Sequence, residues 1–313
     1  MNFIDKLFYS VIEEFKKKDI HYLYNNMVNK FLNLPQETQT SFEKFFNSFG
    51  YWGKMDIKNG IFDIYLDKAK VFKNNYNDFV WLYKNLADYK SKYILFSIIN
   101  NYYNFDFYNL GKVSNDIYKH YFDLDILKLE KDDVFIDVGA YIGDTTIDYI
   151  NSYGAENYKT IYCYEMTFNS LNKAQENLKE YKNIIFKNCA VGDVNKLSFF
   201  NENNYSSSAN QVDDNGKFEI KCVTLDKDIQ EKISTIKMDI EGGEKKALSG
   251  CKNHIINETP NLLISVYHNN SDIIEIPKII SSYNENYKFY LRYYGGKLYA
   301  TEIVLICIKN KDE

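Results

Sequence analysis

Apolar residues recur at helical spacing through the first third of the chain. The stripe from Phe3 to Phe15 takes every third or fourth position, and charged residues fill positions between. The segments Phe42–Phe49 and Asp78–Tyr103 carry further apolar and aromatic clusters that are compatible with helices. We therefore expect an all-helical N-terminal region over residues 1–115. Its stripe fits packing on the remaining helices, and a cap over an active site or a homodimer contact are the alternatives.

The pattern changes at Val134, where short β-branched runs begin to alternate with polar stretches that favour helices. Such alternation is typical of βαβ units and a parallel sheet. The predicted strands are Val134–Asp137, Thr160–Glu165, Ile184–Phe186, Ile233–Ile240 and Leu262–Tyr267, and the predicted helices are Asp144–Ser152, Phe168–Glu180, Gly243–Ser249 and Asp272–Ser282. Tyr287–Arg292 and Thr301–Ile308 flank a Gly-Gly turn and predict an antiparallel hairpin.

This order of elements predicts an α/β domain over residues 116–313. Five parallel strands followed by a hairpin is the layout of the Rossmann-like class I methyltransferase fold. A nicotinamide-dependent dehydrogenase would more often continue with further βα units.

The net charge limits the classes of binding partner that we expect, and the cysteine pattern indicates the cellular compartment. The net charge of −5 and the pI near 5.6 disfavour nucleic acid, whose phosphates require a strongly basic face. Charged residues interrupt the apolar N-terminus and no run reaches membrane-spanning length, so we expect neither a signal peptide nor a membrane span. The five cysteines fall singly and without a CxxC motif, which we interpret as reduced core residues of a cytoplasmic protein.

The first predicted strand ends in a glycine turn that is typical of a cofactor site. Asp137 and Gly139 close the strand, and Gly143 and Asp144 lead into a helix. The middle glycine of the GxGxxG fingerprint is absent, which argues against a pyrophosphate and hence against a nicotinamide cofactor. The space beside two glycines suits the methionine portion of S-adenosylmethionine.

The next two strand ends offer groups for a nucleoside. The carboxylate of Glu165 can accept hydrogen bonds from both hydroxyls of a ribose, although it could instead be a charge at a helix N-terminus. Ala190, Val191 and Gly192 leave a slot for a flat base, with Asp193 able to meet an exocyclic amine. An ordinary turn is the alternative interpretation of this segment.

Two carboxylates mark the end of the fourth strand. Asp239 and Glu241 are two residues apart, and strand alternation would aim them to the same side. Converging like charges cost energy unless a cation, a metal or a polar substrate offsets them, so such pairs are often functional. Alternatively, Glu241 and Glu244 serve the N-terminus of the next helix. At the end of the fifth strand, His268 could take a proton from an acceptor hydroxyl.

Taken together, these residues resemble the FkbM-type S-adenosylmethionine-dependent methyltransferases. The resemblance covers residues 121–308 and rests on Tyr121-Phe122, Asp137–Asp144, Glu165, Ala190–Asp193, Thr224–Asp226, Ile236–Glu244 with Leu248 and Gly250, Val266–His268, and Glu302 with Val304-Leu305. It implies the class I fold and cofactor binding by the ends of the first three strands. It also implies O-methylation of a hydroxyl on a sugar, a glycan precursor or a similar polar metabolite.

The resemblance also assigns cofactor contacts. The residues concerned are Asp137, Gly139, Ala140, Tyr141, Gly143, Asp144, Glu165, Met166, Ala190, Val191, Gly192 and Ser208. Two of them depart from the pattern: Tyr141 stands where many members carry Asn, and Met166 where many carry Pro. Ser208 belongs to a serine loop that similar proteins place near the cofactor, and a solvated linker is the alternative.

Methyl transfer requires alignment of the acceptor and removal of its proton. We expect Asp239 or His268 to act as the base and Glu241 to hold the acceptor or orient the base. A divalent metal held by Asp239 and Glu241 would serve equally by acidifying the hydroxyl. Two other functions stay open, namely methylation of an amine or a carboxyl, and a non-catalytic adenosyl-binding interaction module.

Overall fold

The computed structural model describes residues 2–129, 131–201, 211–212 and 216–310. The chain divides into two compact units. The first contains the residues up to Asn115 together with Val266–Pro277 and Phe289–Val304, and the second contains Asp116–Ser265, Lys278–Lys288 and the residues from Leu305 onward. Two C-terminal segments therefore fold with the N-terminal third.

Helices dominate the first unit. They are α1 (Phe3–Lys17), α2 (Ile20–Leu32), α3 (Gln36–Phe49), α4 (Asp63–Asn74), α5 (Tyr76–Asn85), α6 (Tyr89–Asn104) and α7 (Phe107–Val113). The side chains of Asn2, Asp19 and Asp88 accept hydrogen bonds from main-chain N–H groups and so cap three of these helices. The apolar stripe of α1 is buried at Ile4, Phe8, Ile12 and Phe15.

The expectation of an all-helical N-terminal region is wrong in one place. Two short strands, β1 (Met55–Asp56) and β2 (Ile61–Phe62), pair antiparallel. Gly60, with φ of +67°, closes the turn between them, and the Asp56 carboxylate accepts the N–H of Asn59. Strands of two residues are too short to leave a period of their own in the sequence.

The second unit and the C-terminal segments contribute the remaining elements. The strands are β3 (Asp133–Val138), β4 (Tyr158–Tyr164), β5 (Ile184–Lys187), β6 (Ala190–Val191), β7 (Lys196–Asn201), β8 (Gln211–Val212), β9 (Phe218–Val223), β10 (Thr235–Met238), β11 (Asn261–Ser265), β12 (Tyr287–Tyr293) and β13 (Ile303–Lys309). The helices are α8 (Asp144–Tyr153), α9 (Phe168–Asn177), α10 (Leu225–Asp228), α11 (Glu244–Ser249), α12 (Lys252–Glu258) and α13 (Asp272–Tyr283).

Seven strands form the main sheet in the order β12-β13-β11-β10-β3-β4-β5. The pairings β11·β10, β10·β3, β3·β4 and β4·β5 are parallel, which confirms the five predicted parallel strands. From β3 the chain adds β4 and β5 on one side and then returns to place β10 on the other. This reversal creates a switch point at the carboxyl ends of β3 and β10, where ligands bind in open α/β sheets.

The predicted C-terminal hairpin is confirmed. The Tyr294 N–H donates to the carbonyl of Glu302, and the Asn310 N–H donates to the carbonyl of Asn286. The two residue numbers have the same sum in both pairs. Residues further along one strand therefore pair with residues further back along the other, as antiparallel pairing requires. Over the part of the chain that the structure describes, no helix combines the length and apolarity needed to cross a membrane.

A separate four-stranded sheet, in the order β6-β9-β7-β8, contains Ala190, which we expected at the end of the third predicted strand. That strand does not run on into Ala190. It ends at Lys187, and the Asn188 side chain donates to the carbonyls of Glu165 and Met166, each at 2.9 Å. Ala190 then starts β6, which pairs parallel with β9.

Candidate active site

The turn after β3 fits closely against the turn after β10. Gly139 has φ of +83°, and a Cβ built on it would lie 1.9 Å from the main-chain oxygen of Asp239. The N–H groups of Gly139 and Ala140 donate to the carbonyl of Tyr164 at 2.9 and 3.0 Å. Gly143 has φ of +82°, and its Cβ would lie 2.7 Å from Leu178 Cδ1. The left-handed backbone therefore favours glycine at both positions, and the Asp239 main chain leaves no space for a side chain at Gly139.

Tyr141 and Asp144 lie along the same turn. Tyr141 is half-buried and has a left-handed backbone with φ of +47°, a conformation that is uncommon outside glycine. Asp144 is exposed at the first residue of α8, where its negative charge favours the positive end of the helix dipole.

Glu165 bridges the glycine turn and the start of α9. Its Oε2 accepts the N–H of Tyr141 at 3.0 Å and its Oε1 accepts the N–H of Thr167 at 2.7 Å. Burial raises the pKa of this carboxyl, and the hydrogen bonds from Thr167 and Tyr141 oppose that rise. Each carboxylate oxygen has a second lone pair, so the geometry is compatible both with the ribose prediction and with the helix-terminus alternative.

Asp137 lies beneath the turn and has no exposed surface. Its Oδ2 accepts the hydroxyl of Thr146 at 2.7 Å, and its Oδ1 accepts the ammonium of Lys237 at 3.0 Å. The carboxylate therefore supports the turn from below, instead of presenting itself at the surface of the turn as a cofactor contact would.

Lys237 is the main residue of this site that the sequence reasoning missed. Its Nζ joins Asp137 to the carbonyl of Gly139, at 2.7 Å from the latter, and only 2% of the side chain is exposed. Burial acts to lower the pKa of Lys237, but the carboxylates of Asp137 and Asp239 outweigh it, and the pKa is raised. The available signal was a lysine in the apolar run Ile236–Met238, since a charge in a buried strand needs a partner.

Asp239 and Glu241 come together, but not by strand alternation as predicted. β10 ends at Met238, and Glu241 has φ of +56° within the turn that follows. This turn brings a carboxylate oxygen of Glu241 within 4.8 Å of one of Asp239. The buried Glu244 begins α11, and its Oε1 accepts the N–H of Ile240, in the turn before the helix, at 2.9 Å.

An aromatic pair supports Asp239. The hydroxyl of Tyr121 donates to Asp239 Oδ2 at 2.6 Å and lies 3.0 Å from Ser265 Oγ. The ring of His120 stacks on that of Tyr121 with centroids 4.1 Å apart. Burial lowers the pKa of His120 to about 4, against the opposing effect of Asp239. Neither role was predicted, although Tyr121 was part of the family resemblance.

The segment predicted to form the base slot is tightly packed. Ala190 and Val191 are buried, and the Gly192 N–H donates to the carbonyl of Val223 at 2.9 Å. A Cβ on Gly192 would lie 2.7 Å from Cys222 Sγ, so packing alone accounts for this glycine. Asp193 is exposed, and Met166 packs against the cluster of Ala190, Phe200, Ile220 and Cys222. Ser208 lies outside the described residues.

His268 belongs to the first unit, where it follows β11 and is 1% exposed. The ring of Tyr51 meets the imidazole edge-on, with centroids 5.7 Å apart. The neighbouring Tyr267 ring lies 4.1 Å from the imidazole, centroid to centroid.

Residues 137–289 match the sequence model of the Methyltransferase FkbM domain. Among solved structures, methyltransferase FkbM from Methylobacillus flagellatus KT aligns with a TM-score of 0.66 and 20% identity, over 86% of this chain and 70% of that one. An rRNA methylase from Streptococcus thermophilus aligns with a TM-score of 0.39 and 14% identity, over 58% of this chain and 89% of that one. Aeropyrum pernix fibrillarin, solved with natively bound S-adenosyl-L-methionine, aligns with a TM-score of 0.38 and 9% identity, over 58% of this chain and 69% of that one. No curated protein matches the chain in sequence.

The fold and the domain match define the protein as an S-adenosylmethionine-dependent methyltransferase. Residues 137–289 form a Methyltransferase FkbM domain, which agrees with the resemblance predicted from the sequence.

Proposed function

We propose that the protein transfers a methyl group from S-adenosylmethionine to a hydroxyl oxygen of a sugar, a glycan precursor or a similar polar metabolite. The observation that carries this proposal is the pair of carboxylates, Asp239 and Glu241, held within 4.8 Å of each other beside the glycine turn. Carboxylates accept hydrogen bonds from hydroxyl groups, so the pair suits an acceptor that presents several of them. An apolar acceptor would bring no hydrogen-bond donor to these carboxylates.

The cofactor would bind along the ends of β3, β4 and β6. The turn through Gly139 and Gly143 would border the methionine portion, and the remaining lone pairs of Glu165 suit the ribose hydroxyls. Ala190, Val191 and Gly192 would border the base, with Ser208 assigned from the sequence resemblance alone. When bound, S-adenosylmethionine supplies an electrophilic methyl group on a sulfonium.

The protein must then hold the acceptor oxygen in line and take its proton. We assign the base to Asp239 or His268, with Glu241 orienting the acceptor. The Tyr121 hydroxyl fixes the direction of the Asp239 carboxylate, which supports a positioned base. A divalent cation on Asp239 and Glu241 is the alternative, in which the metal acidifies the hydroxyl. The five cysteines are all free and buried, which supports our proposal of a cytoplasmic location.

The test is transfer of labelled methyl from S-adenosylmethionine to a panel of nucleotide sugars and free sugars, followed by identification of the labelled atom. Asp239→Asn and His268→Ala should each lower the rate at least tenfold, and the exposed Asp116→Asn should not. Full activity in both variants would rule out the assigned bases. Inactivation by a chelator, reversed by Mg²⁺, would favour the metal alternative.

The same panel separates the acceptor classes. Label on an amine or a carboxyl would replace the hydroxyl proposal with one of the other methylations. Calorimetric binding of S-adenosylhomocysteine without transfer to any acceptor in the panel would instead favour a binding module.

A further inference from the structure

Two side chains from the N-terminal third, one in the segment after α3 and one on α4, bind the loop that carries His268. The indole Nε1–H of Trp52 donates to the carbonyl of Tyr267 at 2.8 Å, across 215 positions of sequence. The ammonium of Lys68 donates to Asn270 Oδ1 at 2.9 Å, across 202 positions. All five residues belong to the first unit. His268 therefore lies between two loop residues that are each anchored to the helical region.

The side chain of Trp52 is buried and contacts several aromatic rings. Trp52 is 4% exposed, and its ring meets Phe46 edge-on at 5.3 Å and Tyr51 at 5.2 Å between centroids. A buried indole N–H needs an acceptor, and the main-chain oxygen of Tyr267 supplies it. The edge of the neighbouring Tyr51 ring faces the imidazole of His268.

The Lys68 anchor uses a charge in an apolar setting. Lys68 is 5% exposed, and its Nζ lies 3.6 Å above the centroid of the Tyr102 ring. The surrounding side chains are Val71, Phe72, Phe79, Ile98, Ile99 and Ile273. Burying an ammonium on an amide oxygen and a ring face is costly, so a methionine would pack at this position with less penalty. We therefore infer that this position carries a lysine because its hydrogen bond to Asn270 has a function.

The loop is also fixed from its other side. Asp272 Oδ2 accepts the main-chain N–H of Asn269 at 2.9 Å and its side-chain amide at 2.8 Å. Each of the loop residues Tyr267, Asn269 and Asn270 thus has a defined hydrogen-bond partner. His268 lies between them in the loop.

We propose that Trp52 and Lys68 are positioning residues that fix the 267–270 loop and thereby set the orientation of His268 for proton transfer from the acceptor. This inference rests on the proposed function, in which His268 is a candidate base. It assigns a function to the helical N-terminal region, whose sequence matches no motif that we can name.

Trp52→Phe and Lys68→Met remove the two donors while preserving apolar bulk. Each has a matched control in the same unit. Trp81→Phe changes an indole that contacts the Phe289 ring, and Lys30→Met changes a lysine that donates to Asn104 Oδ1 and lies over the Tyr103 ring. Asn270→Ala removes the Lys68 partner from the loop side and guards against misfolding of Lys68→Met.

The readouts are kcat, KM for S-adenosylmethionine, and the NMR signals of the imidazole of His268, assigned with His268→Ala among the four histidines. We expect Trp52→Phe, Lys68→Met and Asn270→Ala each to lower kcat at least tenfold with KM unchanged and to shift the His268 signals, whereas both controls leave them in place. Unchanged His268 signals in all three variants would overturn the inference. Full activity of His268→Ala would instead count against the proposed base, so the two failures are distinct.

Discussion

The main-chain oxygen of Asp239 occupies the place where a side chain of residue 139 would begin, since a Cβ on Gly139 would lie 1.9 Å from it. The glycine turn after β3 and the turn that carries the carboxylate pair therefore pack against each other at the switch point of the sheet. Any residue larger than glycine at position 139 must displace the Asp239 main chain.

Gly139→Ala should abolish cofactor binding and destabilise the fold. The added methyl group combines a left-handed backbone with a collision against main-chain atoms that cannot rotate away. Calorimetry with S-adenosylhomocysteine and urea unfolding measure the two effects. Gly60→Ala is the control because Gly60 has φ of +67° with open space around its Cβ. The free energy of unfolding of Gly60→Ala should fall by only about 1 kcal/mol. Equal losses in both variants would mean that the contact with Asp239 is unimportant.

Lys237→Met should be strongly destabilising. It leaves the fully buried Asp137 without its cation, and breaking a buried pair from one side typically costs about 3–5 kcal/mol. Urea unfolding checks this, with Lys119→Met as the control, because the Lys119–Asp148 pair lies at the surface. Adding Asp137→Leu to Lys237→Met should restore part of the stability. A small loss in the single variant would show that Asp137 is compensated by other groups.

Tyr121→Phe should lower kcat about tenfold or more and leave cofactor affinity unchanged, because a hydrogen bond to a charged group typically contributes about 1.5–3 kcal/mol. The variant removes the 2.6 Å bond that orients Asp239. The control is Tyr153→Phe, whose hydroxyl donates to the carbonyl of Leu127 at 3.2 Å. Wild-type kcat in Tyr121→Phe would argue against an oriented Asp239 carboxylate in the reaction.

Glu165→Gln should raise the Kd for S-adenosylhomocysteine about tenfold. Both carboxylate oxygens of Glu165 accept hydrogen bonds from main-chain N–H groups. The NH₂ group of a glutamine would face one of these N–H groups, and two donors form no hydrogen bond. Glu231→Gln serves as the control, since that carboxylate accepts from Tyr162 and Lys159 instead. If Glu165→Gln bound the ligand as the wild type does, a function confined to the start of α9 would be the better interpretation.

His120 should make the fold sensitive to acid. Its pKa is about 4 in the folded state, below its ordinary value of 6.5, so the unfolded chain binds the proton more readily between these limits. The free energy of unfolding should therefore fall as the pH drops from about 6.5 to about 4, by up to ~1.4 kcal/mol per pH unit from this residue. His120→Gln should flatten that slope in urea titrations, whereas the exposed His21→Gln should not. Parallel slopes for wild type and His120→Gln would refute this assignment.

The parallel strands were predictable because each is a short apolar run with polar residues on both sides. β3 is buried at all six positions, and the predicted Val134–Asp137 falls within it. The two-residue strands β1, β2 and β6 were not predictable in this way, because they are fixed by turns and by distant partners. β6, for example, depends on its pairing with Cys222 and Val223 in β9.

The candidate site was predictable as a set of residues but not as an arrangement. Asp239 and Glu241 converge through the left-handed backbone at Glu241, and local sequence gives little indication of such a φ outside glycine. Lys237 and Tyr121 act through contacts across 100 and 118 positions of sequence. The periodicity of apolar residues indicates which face of a helix or strand a side chain lies on. Contacts over such long sequence distances depend instead on the order of strands in the sheet.

The first unit is discontinuous, and this affects how the protein can fold during synthesis. The Ala87 N–H donates to the carbonyl of Phe289 and the Asn115 N–H to that of Tyr293, so the segments that follow α5 and α7 bond to residues of β12 that are made much later. N-terminal domains generally fold first as a chain leaves the ribosome. Here α1–α7 emerge first, yet their unit closes only after residue 304 has been added. Until then the nascent helices expose surface that the finished protein covers, which is where a chaperone would bind.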